Sequence, residues 1–188
     1  MQIGHRDLKS HNILVRRVHE TTEYVLEEIS DFGVSKVKEL SMIDFTPNTG
    51  TLRWKAPELI KPSGARCLVK EPFQEVFPKV AKCDTYSFAI VCYEILMGSQ
   101  PFLDMETTEF KAKVLDGKRP NLPDRCPKRL KNLIERCWSH NASKRPCYGE
   151  ICKELWYLKY ELLMTYTWGK DTALALGYWR SFRINSRL

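Results

Sequence analysis

The stretch from Asp84 to Met97 limits what this chain can fold into more than any other. It reads Asp84-Thr85-Tyr86-Ser87-Phe88-Ala89-Ile90-Val91-Cys92-Tyr93-Glu94-Ile95-Leu96-Met97 and stops at Gly98. A helix that is hydrophobic on nearly every side is a buried one, and glycine is favoured just past a helix end. The chain is therefore globular, with this helix inside its core, and 188 residues at 43% hydrophobic suffice for one core. The longest apolar run, Phe88 to Met97, contains Glu94 and is too short to span a bilayer.

Helical periodicity continues downstream. Met105 to Leu115 predicts an amphipathic helix ending before Gly117, and Pro127 to Trp138 repeats the pattern with Leu130, Leu133, Ile134 and Cys137. Ile151, Leu155, Leu158 and Leu162 line one face of a last helix, suited to packing on the core. The tail from Tyr166 to Leu188 is aromatic without a clear period, and a short docking helix and a disordered tail are both open for it. Upstream, Ile13-Leu14-Val15 and Tyr24 to Ile29 read as two strands around the polar turn Val18 to Thr22. Pro62, Gly64, Pro72 and Pro78 mark irregular chain between Glu58 and Asp84.

The net charge of +7 comes from basic residues spread along the chain, with no run dense enough for a nucleic-acid arm. Seven cysteines, at positions 67, 83, 92, 126, 137, 147 and 152, include no Cys-x-x-Cys pair. An odd number in this pattern argues for reduced thiols in the cytosol or nucleus, with a cytoplasmic setting expected, and against a disulfide framework or a zinc site. The first residues are polar, which speaks against a signal peptide.

Three motifs stand in a fixed order. His5-Arg6-Asp7-Leu8-Lys9-Ser10-His11-Asn12 fits H-R-D-L-x-x-x-N, followed by Asp31-Phe32-Gly33 and Ala56-Pro57-Glu58. Asp and Asn are common turn formers, and one Asp–Asn pair alone would be read as a polar turn. With all three in order, the chain resembles the large, C-terminal lobe of a protein kinase, from its first residues to about Met164. Thr51-Leu52-Arg53-Trp54-Lys55 before Ala56-Pro57-Glu58 is similar to the substrate-docking segment of the tyrosine-kinase-like group of serine/threonine kinases.

The resemblance implies a mainly α fold: a helical bundle around Asp84–Met97, with a small β-hairpin carrying the catalytic loop at one end and Asp-Phe-Gly at the other. It implies a large lobe over residues 1–164 and a C-terminal tail over 165–188. The two motif aspartates stand 24 positions apart, more than the family usually shows, with the excess in the hairpin turn. The connection after Glu58 is longer than in relatives, so an inserted loop is expected at about Lys61 to Lys79. Ala89 stands where relatives more often have Gly. Only Met1 to Gly4 precede the loop. The small lobe of such kinases, with its glycine-rich loop, strand Lys and helix Glu, is absent from this sequence, so Met1 resembles an internal residue of a longer ancestor.

Site roles follow from the same resemblance. Asp7 would orient or accept the substrate hydroxyl proton, and Lys9 would contact the γ-phosphate of ATP. Asn12 and Asp31 supply the hard oxygen ligands that Mg²⁺ prefers, and Leu14 would lie beneath the adenine ring or be an ordinary strand residue. Phe32 would pack under the site, with Gly33 giving the backbone freedom to move it. Glu58 would pair with Arg145, and Asp84 would hold the backbone of the His5-Arg6 turn. Arg6 would meet a phosphate on an activation loop bearing Ser41, Thr46, Thr49 and Thr51, or else a loop carboxylate.

Lys9-Ser10 and Gly50-Thr51 resemble serine/threonine-directed members, while Trp54 leaves dual specificity open. Two functions follow: an ATP- and Mg²⁺-dependent serine/threonine kinase acting on protein substrates as part of a complete kinase domain, or a weakly active or inactive lone lobe that binds partners as a scaffold. For the kinase, the missing half of the nucleotide clamp would come from a small lobe in cis or from an unknown partner.

Overall fold

The computed structural model describes residues 3–17, 25–32, 36–37, 43–45, 51–60, 69–71 and 73–167. The chain divides into two compact units, Met1–Cys147 and Tyr148–Leu188. The first opens with β1 (Ile3–Gly4), β2 (Ile13–Arg17) and β3 (Val25–Ile29), then β4 (Lys36–Val37), β5 (Ile43–Phe45) and β6 (Val69–Glu71). Three helices follow: α1 (Phe73–Met97), α2 (Thr107–Leu115) and α3 (Lys128–Cys137). The second unit is described by α4 (Tyr148–Thr167), along which the Trp156 and Tyr160 rings, one turn apart, stack at 6.3 Å.

Among the described residues the strands form three separate antiparallel pairs: β1 with β4, β2 with β3, and β5 with β6. The β2–β3 pair is the hairpin legible in the sequence. Its first strand runs two residues beyond Val15, to Arg17, and Ile13 faces Ile29 across the ladder. The short β1–β4 pair sets Ile3 opposite Val37 and thereby places the residue after Gly4, His5, at the root of the His5–Asn12 motif. The third pair joins the segment before Thr51 to the insertion, with Ile43 opposite Glu71 and Phe45 opposite Val69.

The expected loop through Lys79 is corrected: α1 begins at Phe73 and passes through Pro78. Proline removes one ladder hydrogen bond and is best tolerated near a helix start, and here it is an exposed residue in the second turn. Packing offsets the loss. Val80 and Cys83 are buried and continue the stripe through Ser87, Ile90 and Val91, spaced three and four apart. An added Cβ on Gly4 would run into Val80 Cγ1, so β1 lies directly on this extra turn. At the other end the all-round burial inferred from apolarity stops early, because Ile95 is 76% exposed. Gly98 closes the helix with a φ of 70°, its N–H donating to the Glu94 carbonyl at 2.7 Å.

α2 and α3 each contribute an apolar grouping. α3 contributes buried Leu133, Ile134 and Cys137, and the Tyr93 and Trp138 rings meet at 6.2 Å. α2 contributes Phe110 and Val114, which cluster with Ile60 and draw in Leu52, Phe102 and Met105. α2 ends as its spacing predicted: Gly117 has a φ of 79°, and the Lys118 N–H donates back to the Lys113 carbonyl at 2.9 Å. No helix among the described residues is long and apolar enough to cross a membrane.

Candidate active site

The His5–Asn12 loop is hung on α1 by its backbone. Asp84, buried on that helix, accepts the His5 N–H at one carboxylate oxygen and the Arg6 N–H at the other, each at 2.8 Å. These two bonds fix a turn that would otherwise be costly, since Arg6 holds a φ of 71°, a region that L side chains avoid. Burial pushes the Asp84 carboxyl up, and the two backbone donors only partly oppose it. Burial also lowers the Arg6 guanidinium, with Asp84 acting in the opposite sense.

His5 ties this loop to the residues before Asp31. The Asp7 N–H donates to its Nδ1 at 3.3 Å, so that nitrogen is bare and the proton sits on Nε2, which donates to the Ser30 carbonyl at 3.0 Å. The ring meets Phe32 edge-on at 4.9 Å. Ser30 in turn donates its N–H to the Asn12 carbonyl at 2.8 Å. Asp31 follows with a φ of 60° and an exposed side chain.

Asp7, Lys9 and Thr51 form the polar centre. Asp7 accepts the Lys9 ammonium at 2.8 Å on one oxygen, and the Thr51 N–H at 2.6 Å and hydroxyl at 3.1 Å on the other. Lys9 also donates to the Thr51 hydroxyl oxygen at 2.8 Å. Burial pushes the Asp7 carboxyl up, but the bonds from Lys9 and Thr51 outweigh it and hold it below its ordinary value. It is therefore ionised at neutral pH. Lys55 lies buried nearby; burial lowers its ammonium, opposed by the charge of Asp7.

The fit for Mg²⁺ can be read from the donor set. Asn12 is buried and commits its amide nitrogen to the Asp7 carbonyl at 2.9 Å, which turns its amide oxygen into the end left to accept. With the Asp31 carboxylate it offers two hard oxygens at the open end of the β2–β3 hairpin, where the Ser30 N–H meets the Asn12 carbonyl. Among the described residues no group of three or more His, Cys, Asp or Glu could hold a metal. A two-oxygen set suits Mg²⁺, which keeps waters and phosphate oxygens for the rest of its shell. Leu14 is 53% exposed on β2, an apolar surface at the same end of the hairpin.

The Ala56-Pro57-Glu58 motif is anchored through its carboxylate. Glu58 receives Arg145 on both oxygens, at 2.7 and 2.8 Å, and Cys83 donates its thiol to the same carboxylate at 3.4 Å. Burial raises the Glu58 carboxyl, but Arg145 overcomes this and leaves it lowered. The Cys83 thiol is pushed up by burial and by that carboxylate, which makes it an inert packing group.

Sequence reasoning missed three contributors. Arg53 donates to the carbonyls of Pro101, Phe102, Leu103 and Met105, and its guanidinium lies 5.2 Å from the Phe110 ring centre. Ser87 donates to the Trp54 carbonyl at 2.8 Å. Glu94 accepts both the Trp54 indole N–H and the Ser10 hydroxyl. A usable signal existed for Glu94, the one charge within an apolar run. Gly33, Ser41, Thr46 and Thr49 lie outside the described residues. Thr51, grouped with them from the sequence, sits within the polar centre.

A mostly helical lobe built around α1, with a carboxylate, an ammonium and two hard oxygens on the loops it holds, is like the large lobe of a protein kinase. Residues 1–155 match the family model of protein tyrosine and serine/threonine kinases, and the chain belongs to that family. It is 46% identical over 87% of its length to a light-sensor protein kinase of Ceratodon purpureus. It is 36% identical over 78% of its length to a serine/threonine/tyrosine-protein kinase of Arabidopsis thaliana. A probable LIM domain-containing serine/threonine-protein kinase of Dictyostelium discoideum is 34% identical over 80% of the chain. The chain spans 13%, 33% and 20% of those relatives, respectively. Names of both serine/threonine and mixed type agree with the tyrosine-kinase-like group.

Proposed function

We propose that these residues form the proton-accepting and substrate-docking half of a protein serine/threonine kinase that transfers the γ-phosphoryl group of ATP to an aliphatic hydroxyl. The observation carrying this is Thr51. Its hydroxyl lies between the Asp7 carboxylate and the Lys9 ammonium, at 3.1 and 2.8 Å. The chain thus already seats an aliphatic hydroxyl against the two groups that a substrate serine or threonine needs.

As the substrate oxygen bonds to the γ-phosphorus, Asp7 takes its proton and the bond to the β–γ bridging oxygen breaks, leaving ADP. Lys9 offsets the charge on the transferred group while holding Asp7 in place. Asn12 and Asp31 would hold Mg²⁺, which neutralises triphosphate charge when bound. Relatives named as serine/threonine kinases support the substrate class, and the name of the Arabidopsis thaliana relative keeps tyrosine as a second acceptor. The cysteine pattern supports a cytoplasmic setting, with a protein substrate as partner.

Calorimetric titration of the full-length protein with ATP and Mg²⁺, paired with a transfer assay, tests the reading. Asp31→Ala should weaken Mg²⁺-dependent nucleotide binding at least about tenfold, while Asp7→Asn keeps binding and loses about two or more orders of magnitude in transfer. Transfer that survives Asp7→Asn would refute it.

A further inference from the structure

Glu94 is out of place by composition. It is the only charged side chain between Phe88 and Met97, and a carboxylate in such surroundings carries a desolvation cost unless it is hydrogen-bonded. Its partners lie far off in sequence. One oxygen accepts the Trp54 indole N–H at 2.7 Å, and the other accepts the Ser10 hydroxyl at 3.1 Å. Ser10 belongs to the catalytic loop, three residues after Asp7, and Trp54 to the docking segment, three residues after Thr51.

The link closes a circuit. Thr51 binds Asp7 at one end of the docking segment. At the other end Trp54 is held by Glu94 through its indole and by Ser87 through its carbonyl, and His11 meets its ring edge-on at 5.8 Å. Satisfying a buried indole N–H needs one neutral acceptor. A carboxylate bonded to two separate elements does more, because it fixes the distance between them.

We propose that Glu94 is a positioning residue that sets the docking segment in register with the catalytic loop, and so governs how a protein substrate, rather than ATP, is presented. The proposal rests on the kinase reading of the same site. It makes Ser10, Glu94 and Trp54 one unit whose members act through each other.

The test uses the full-length protein with a serine-containing peptide substrate. Glu94→Ala removes both links. Glu94→Gln keeps them in neutral form, since its amide oxygen can accept from Trp54 and its amide nitrogen can donate to Ser10. Glu94→Ala should raise the peptide KM about tenfold and lower kcat, with the KM for ATP unchanged, and Glu94→Gln should recover most of the loss. Ser10→Ala or Trp54→Phe added to Glu94→Ala should change little more, because the unit is already broken. Peptide binding by fluorescence anisotropy, and the Trp54 indole N–H resonance assigned through Trp54→Phe, read the link without turnover.

Equal rises in both KM values, additive effects in the double variants, or loss of melting temperature alone would overturn the proposal. If the native protein transfers phosphate and Glu94→Ala binds and phosphorylates peptide normally, the role of Glu94 falls and the kinase reading stands. If the native protein transfers no phosphate, the kinase reading falls and takes the substrate-presenting role with it, even where anisotropy still depends on Glu94 with rescue by Gln.

Discussion

Replacing Glu58 with Gln should destabilise the first unit by about 2–4 kcal/mol. Arg145 is fully buried and makes two bonds to Glu58, with further bonds to the carbonyls of Ser139 at 2.9 Å and Lys82 at 2.9 Å. Its guanidinium also lies 5.2 Å from the Tyr86 ring centre. Removing the partner of a buried charge typically costs about 3–5 kcal/mol. The carbonyls and the ring still hold the guanidinium, and the Glu58 side chain is 36% exposed, so water can enter and reduce the cost. With a urea m-value of about 2 kcal/mol per M, the midpoint should fall by about 1–2 M. Arg145→Met should cost a similar amount or more, because it strands carbonyls as well as Glu58. The double variant should cost at least about 1 kcal/mol less than the sum. The Glu58 carboxyl is lowered in the folded chain, so its contribution is fully present above the ordinary value of about 4.3 and disappears as pH falls through the folded value. Urea denaturation followed by circular dichroism at pH 7 and near pH 3 measures both effects. A shift below about 0.3 M at pH 7, or costs that simply add, would refute the reasoning.

Further outcomes follow from individual contacts. Gly4→Ala should destabilise by about 1–3 kcal/mol, because the new Cβ meets the stiff, buried Val80; adding Val80→Ala should make Gly4→Ala nearly neutral on that background. Pro78→Ala should raise the melting temperature, since it restores a ladder bond in the second turn of α1, for a net gain of about 1–2 kcal/mol after the unfolded chain regains entropy. Mass spectrometry of the active protein should find phosphate on Ser41, Thr46 or Thr49 rather than on Thr51, whose hydroxyl is engaged by Asp7 and Lys9. If Ala at each of the three leaves activity unchanged, no regulation acts through them.

What the sequence displayed was local. Gly98 and Gly117 mark helix ends because a left-handed residue is needed there, and that need is visible from spacing alone. The Glu58–Arg145 pair, 87 positions apart, could be named only because motif order supplied the match. The start of α1 is hidden in the sequence because Pro78 reads as a helix breaker. Val80 and Cys83 continue the buried stripe upstream, and packing along it outweighs one lost bond. Arg53 left no trace in composition, since its partners are backbone carbonyls in a turn where Phe102 holds a φ of 53°. The β5–β6 pairing joins segments more than twenty residues apart, so no short-range pattern in the sequence announces its register.

The most direct measurement of the central claim is phosphoamino-acid analysis of a peptide library of serine, threonine and tyrosine acceptors, incubated with γ-labelled ATP, Mg²⁺ and the full-length protein. With Asp7 intact, label should appear mainly on serine and threonine, and Asp7→Asn should reduce it by about two or more orders of magnitude. Label confined to tyrosine, or undiminished in Asp7→Asn, would contradict the assignment of this centre.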